Sequence, residues 1–123
     1  MVTNKYVMGY RKYKYGVFKD TQVEKYKRTM RKSIFFLLLC VDPATKDEYK
    51  NIDVNKTFDD ILYKLSGFNE LLFYPVEMVS IISLIEMARI EFNKSDFDFS
   101  VYRKLILDAG AEVLKIKESD FIA

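Results

Sequence analysis

The chain has 123 residues, half of them hydrophobic and 31% charged, with a formal net charge of +2. That is one domain's worth of sequence with enough apolar matter to bury a core, which excludes wholesale disorder. Histidine is absent and Cys40 is the single cysteine, so Cys/His zinc sites, Ser-His-Asp and Cys-His catalysis, His-ligated haem and an intramolecular disulfide are excluded.

The near-neutral total hides a strong asymmetry. Residues 1–32 hold ten basic side chains and two acids, a net of +8, while residues 33–123 carry a net of −6. Residues 1–19 read as a short extended or hairpin-like basic arm. From Lys12 to Val17, lysine or glycine alternates with tyrosine or valine, so Tyr13, Tyr15 and Val17 would share one face of a strand. Gly9 and Gly16 argue against helix there.

A helical core is expected over 20–117, with four helices near 21–41, 57–66, 75–92 and 100–117 and a tail at 118–123; the fold class is all-α and the domain single. Thr21-Gln22-Val23-Glu24 has the form of a capping box at the start of the first helix. Val23, Tyr26, Met30, Ile34, Leu37, Leu38 and Val41 follow at helical spacing. The continuous apolar run Ile34–Val41 predicts burial on all sides for the second half and exposure for the first. Twenty helical residues make a rod about 30 Å long, more than one small core requires. Pro43 ends it, and residues 42–56 form the longest loop, a place where function often resides.

The second helix is expected to begin near Thr57, with Phe58, Ile61, Leu62 and Leu65 on one face and Gly67 as its left-handed stop. Phe68–Phe73 reads as a further short helix. Pro75 suits the first position of the third helix. That helix carries apolar groups on almost every face, which predicts a central position, with Ser80 and Ser83 allowing close approach of a neighbour. Ser100 is the expected cap of the fourth helix, and Gly110 would permit a tight crossing over the third.

Candidate chemistry concentrates in the front. Tyr6, Tyr10, Tyr13, Tyr15 and Tyr26 are interleaved with Arg11, Lys12, Lys14 and Lys19, a combination that neutralises phosphates and stacks on unpaired bases. The same composition suits an edge strand whose lysines discourage aggregation, or an arm folded over an acidic body. The expected partner-binding set is Tyr10, Arg11, Lys12, Tyr13, Lys14, Tyr15, Lys19, Lys25, Arg28 and Lys32. A helix-turn-helix at Phe58–Phe73 fails because its would-be recognition segment, Asn69–Phe73, has no basic residue.

Carboxylate pairs have structural readings: Asp59 and Asp60 at a helix start complement its dipole, Asp96-Phe97-Asp98 is too sparse for a calcium loop, and Glu86 can pair with Arg89. Glu86, set among Ile82, Ile85, Met87 and Ile90, should be paired or protonated. No glycine-rich phosphate loop exists, and Cys40 reads as a small buried hydrophobe.

The function expected is that of a non-catalytic interaction or regulatory protein, not an enzyme, with no cofactor and no metal. It would dock on a protein or ribonucleoprotein partner through the basic front; a single-stranded DNA or RNA accessory subunit is the alternative, and a carboxylate-dependent enzyme a distant third. Phe, Tyr, Met, Ile, Asn and Lys make up 54 of 123 residues, and their codons suggest an AT-rich genome. This general character suits an accessory protein of a phage or mobile element, such as an inhibitor of a host nuclease defence system.

A cytoplasmic location is expected. The basic leader before Ile34 is too long for a signal peptide, Asp42-Pro43 stands where cleavage needs small residues, and no stretch has the roughly 18 apolar residues of a membrane span. The basic front beside an acidic body also suggests self-association by exchange of the arm between sister chains.

Overall fold

A computed structural model describes residues 10–13, 16–72 and 74–116. Lys14, Tyr15 and the 118–123 tail, all named above, lie outside the described residues, as does Tyr6. The element order is β1 (Tyr10–Tyr13), β2 (Gly16–Lys19), α1 (Asp20–Leu39), α2 (Val54–Leu71), α3 (Glu77–Phe92) and α4 (Phe99–Val113). Among the described residues the body is all-α, with four α-helices.

β1 and β2 pair antiparallel in the register Tyr10 with Lys19, Arg11 with Phe18, Lys12 with Val17 and Tyr13 with Gly16. The alternation from Lys12 to Val17 therefore does not run along one strand: the chain reverses between Tyr13 and Gly16. β2 leads directly into α1, which begins at Asp20, so Thr21 falls inside the first turn.

The helices form a ring in which each packs on two neighbours, in the order α1, α2, α3, α4. Contacts between helix ends fix the directions. Tyr26 at the start of α1 meets Phe68 near the end of α2, with ring centroids 5.8 Å apart. Asn55 at the start of α2 exchanges hydrogen bonds with Asn93 at the end of α3. Lys27 near the start of α1 donates to the carbonyl of Ile116 beyond α4, and Tyr102 in α4 donates to the carbonyl of Leu37 near the end of α1. Neighbours are thus antiparallel throughout, an up-down-up-down bundle.

The shared core holds Met30, Ile34, Leu37, Phe58, Ile61, Leu65, Met78, Ile81, Ile85, Ala88, Tyr102, Ile106, Ala109 and Val113, all buried. Tyr102 is its hub. Phe58, Phe92, Phe97 and Phe99 surround it with ring centroids 5.7–6.4 Å away, the range in which aromatic pairs attract.

Several expectations are corrected, each for a physical reason. The first half of α1 is not free: Val23 is 1% exposed and Met30 likewise, because α1 buries one stripe along its whole length. Its second half is not buried on all sides, since Phe35 is 48% exposed. The full length of α1 thus serves the core, so a surplus of helix no longer argues for arm exchange.

α2 starts three residues before Thr57, capped by Asp53, whose carboxylate accepts from the Lys56 amide at 3.1 Å. It runs through Gly67 to Leu71, so Gly67 is no stop and Phe68–Leu71 is no separate helix. That continuity also removes any helix-turn-helix outline. α3 starts at Glu77 instead of Pro75, after Tyr74 takes a positive φ of 60°. It is not central: Val76, Val79, Met87 and Ile90 beside or along it are all more than half exposed.

α4 is capped by Asp98, not Ser100; the Asp98 carboxylate accepts from the amides of Ser100 and Val101. Ser80, Ser83 and Gly110 make no tight crossing. Both serines are exposed, and a Cβ built on Gly110 meets nothing within 4 Å.

Gly67 and Gly110 therefore occupy helix interiors with open space around them. Replacing either with alanine should raise stability by roughly 0.5–1 kcal/mol through lower unfolded-state entropy. Thermal melts of Gly67→Ala, Gly110→Ala and the double variant check this; the gains should add, because the sites are on non-adjacent helices.

The loop after α1 is tied down. The Asp42 carboxylate accepts from the Ala44 amide at 2.8 Å, and the Thr45 hydroxyl donates to the Leu39 carbonyl at 2.7 Å. A 3-10 turn, Lys46–Tyr49, follows and sets the Tyr49 ring edge-on to Phe36.

Candidate interaction surface

α1 presents a row of cations to solvent. Lys25, Arg28 and Lys32 recur at three- and four-residue spacing, and Arg31 lies beside them; all four are exposed. Among the described residues none of the four forms an ion pair. Their apolar counterparts, Val23, Met30, Ile34 and Leu37, are buried, so the helix period itself aims the charges outward.

This row borders a groove between α1 and α4 of about 510 Å³. Arg28, Arg31 and Lys32 form one wall. The floor and opposite wall are Ile34, Phe35, Ile106, Leu107, Gly110, Ala111 and Leu114. Phe35, Leu107 and Leu114 are 48%, 36% and 58% exposed, so the groove offers apolar surface to whatever enters it. Gly110 deepens it by lacking a side chain on the α4 side.

Of the ten residues expected to bind a partner, Lys25, Arg28 and Lys32 are thus brought to one surface, and Arg28 and Lys32 to its groove. Tyr10, Arg11, Lys12, Tyr13 and Lys19 take positions in the hairpin that leads into α1. Sequence reasoning missed Arg31, Phe35, Leu107 and Leu114. A signal was present for the α4 residues: Leu107 and Leu114 stand seven apart, two turns along one face, but off the face of Tyr102, Ile106, Ala109 and Val113.

One cation in the basic front does a different job. Lys27 is 8% exposed; its ammonium donates to the Ile116 carbonyl at 3.2 Å and pairs with Glu24 at 3.3 Å. It ties the start of α1 to the end of α4. Its position four residues after Val23 and three before Met30 already placed it on the apolar face.

The acids are engaged structurally. Among the described residues the buried acid is Glu91, 5% exposed, not Glu86. Glu91 accepts from the Asp98 amide at 2.8 Å and pairs with Lys94 at 3.2 Å, which joins the end of α3 to the cap of α4. Glu86 is exposed and does not pair with Arg89; Arg89 instead reaches Asp59 at 2.7 Å across to α2. Asp59 and Asp60 lie beyond the first turn of α2, with Asp60 paired to Lys56, so neither serves the helix start. Among the described residues no group of three or more Cys, Asp or Glu side chains is placed to hold a metal ion. Burial pushes the Cys40 thiol above its ordinary range, which disfavours the reactive thiolate.

No family model, curated protein or solved structure matches the chain. Among the described residues no helix is long and apolar enough to cross a membrane. The site's own chemistry is therefore what speaks to function. Three cations that form no ion pair among the described residues, set beside an apolar trough, can bind a ligand that carries carboxylates or phosphates along one edge and apolar groups along the other.

Proposed function

We propose that this protein is a non-catalytic interaction protein that docks on an acidic partner protein through the basic face of α1 and the α1–α4 groove. The observation that carries the reading is the pairing of Arg28, Arg31 and Lys32 with the exposed Phe35, Leu107 and Leu114 in one groove. An amphipathic helix bearing glutamates or aspartates on one flank and leucine-like side chains on its face matches both features. The apolar anchors supply affinity by leaving water, and the cations supply orientation and encounter rate. The buried or paired state of Glu91, Asp59 and Asp60 supports a non-catalytic role for them.

The basic hairpin beside α1 supports a second reading, docking on single-stranded nucleic acid or on ribonucleoprotein, where lysines and arginines neutralise phosphates and tyrosines stack on bases. Either mode suits an accessory protein of a phage or mobile element, including an inhibitor of a host nuclease system.

Titration under NMR separates the readings. One probe is a peptide of glutamate and leucine spaced to form an acidic amphipathic helix; the other is a single-stranded oligonucleotide. The peptide should shift Phe35, Leu107, Gly110 and Leu114, with an affinity that weakens but persists at high salt. Shifts confined to the hairpin and the α1 cations, seen only with the oligonucleotide and abolished by salt, would overturn the protein-docking reading in favour of nucleic acid.

A further inference from the structure

On the other side of α4, the third helix turns an apolar face to solvent. Val76, Val79, Met87 and Ile90 are 75%, 66%, 51% and 65% exposed, and Ser80, Ser83 and Glu86 complete the face. At 100° per residue these seven positions fall within one third of the helix circumference, opposite Ile81, Ile85 and Ala88 in the core. No lysine or arginine of α3 is on this face; Lys115, just beyond the end of α4, borders it and is paired there with Glu112 at 2.9 Å. Arg89, the one cation within α3, is turned to Asp59 of α2. Four large apolar side chains exposed together on one helix mark a contact surface, since scattered ones need no explanation but a contiguous set does.

The arrangement indicates what covers it. The spacing from Val76 through Val79, Ser83 and Met87 to Ile90 runs three, four, four, three, and so reads the same from either end, with Ser83 at its centre. A helix with that pattern is complementary to itself in the antiparallel direction. We infer that α3 is the contact surface of a homodimer, in which two copies of the helix pair antiparallel about a two-fold axis at Ser83.

In that pairing Ser83 meets Ser83 of the partner subunit, Val79 meets Met87 of the partner subunit, and Val76 meets Ile90 of the partner subunit. Each residue contacts the one that contacts it in return, as an isologous interface requires. The small serine at the crossing lets the backbones approach. The polar groups also match: Glu86 comes opposite Ser80 of the partner subunit, whose hydroxyl can donate to the carboxylate, and the two glutamates are kept apart. This gives Glu86, without an ion pair among the described residues, a partner. The face shares no residue with the α1–α4 groove. A contact built from a single helix pair lies at the small end of specific interfaces, so the dimer should be in exchange with monomer at micromolar concentration.

Sedimentation velocity across a concentration series tests the inference. A dimer that dissociates on dilution is expected. Val79→Lys should abolish it, because the cation would enter an apolar seam against Met87, while helical content by circular dichroism stays unchanged. The geometry is read by oxidative cross-linking in a Cys40→Ala background. Ser83→Cys should cross-link with itself, and Val79→Cys should cross-link with Met87→Cys but not with itself. A protein that stays monomeric up to millimolar concentration overturns the proposal, as does a dimer that Val79→Lys leaves intact. Self-cross-linking of Val79→Cys would overturn the antiparallel pairing. Should Val79→Lys fail to fold, the Ser83→Cys cross-link still decides, since an exposed serine tolerates cysteine.

Discussion

Replacing Tyr102 with phenylalanine is expected to lower stability by about 1–2 kcal/mol and replacing it with alanine by about 3–5 kcal/mol. The two substitutions separate the two things this side chain does. The hydroxyl donates to the Leu37 carbonyl at 2.7 Å, near the end of α1, and phenylalanine leaves that carbonyl without the bond. The ring packs among Phe58, Phe92, Phe97 and Phe99, and alanine leaves a cavity at the centre of that cluster. Against a total stability of about 5–15 kcal/mol typical of such a domain, the alanine loss removes a large fraction of the whole. Denaturant titration checks both values; equal losses for the two variants would mean that the ring contributes nothing beyond its hydroxyl.

Tyr102 also sets a pH dependence. Burial, and secondarily the neighbouring Cys40 thiol, pushes its phenol well above the ordinary tyrosine value. An acid whose ionisation is raised in the fold favours the native state while it remains neutral. Its contribution is fully present below about pH 10, where the unfolded phenol ionises, and is lost as the pH climbs from there towards the folded value. Alkaline unfolding of the parent should therefore steepen above that point. The Tyr102→Phe variant should be less stable at neutral pH and flatter at high pH.

The fold class was legible because the buried positions keep a helical period. Phe58, Ile61 and Leu65 recur at that spacing, as do Ile81, Ile85 and Ala88, and no competing strand pattern crosses them. Helix boundaries were less legible. The starts of α2 and α4 each have an aspartate cap, Asp53 and Asp98, a few residues upstream of the hydroxyl residue where the helix was expected to begin, Thr57 or Ser100. Composition alone does not rank an aspartate cap above a hydroxyl cap. Gly67 misled for a related reason: glycine is the usual stop, yet the packing of Phe68 on Tyr26 carries the helix past it.

The site was legible only in half. Charge counting locates cations on α1, but it does not say which of them face water, and Lys27 shows the cost of that: it sits in the same basic run and is buried. The spacing of Leu107 and Leu114 marks an apolar strip off the core face of α4, but nothing local to them signals that α1 will lie beside it. A groove is a property of two helices placed together, and the placement comes from the core. The exposed face of α3 was misread as a sign of a central helix for the same reason. Hydrophobicity on every side of a helix is compatible with a buried helix and with one that keeps an open face, and only the ring order of the bundle separates the two.

Reversing the charge of Arg28, Arg31 and Lys32 together to glutamate is expected to abolish binding of the acidic amphipathic peptide and to leave the fold intact. All three are exposed and, among the described residues, make no ion pair, so their stabilising contribution is roughly 0–1 kcal/mol each. They lie in the middle of α1, away from its ends, so the helix dipole hardly registers the change. The melting temperature should stay close to that of the parent. Phe35→Ala should also weaken the peptide, but without altering how affinity falls with salt, because an apolar anchor carries no charge. The matched variant in the N-terminal basic segment, with Arg11, Lys12 and Lys14 changed to glutamate, should leave peptide affinity nearly unchanged. It should weaken an oligonucleotide and flatten its salt dependence, since fewer counterions are released. Retention of peptide binding by the α1 variant, with its melt unchanged, would sink the groove as the docking site and return the hairpin to that role.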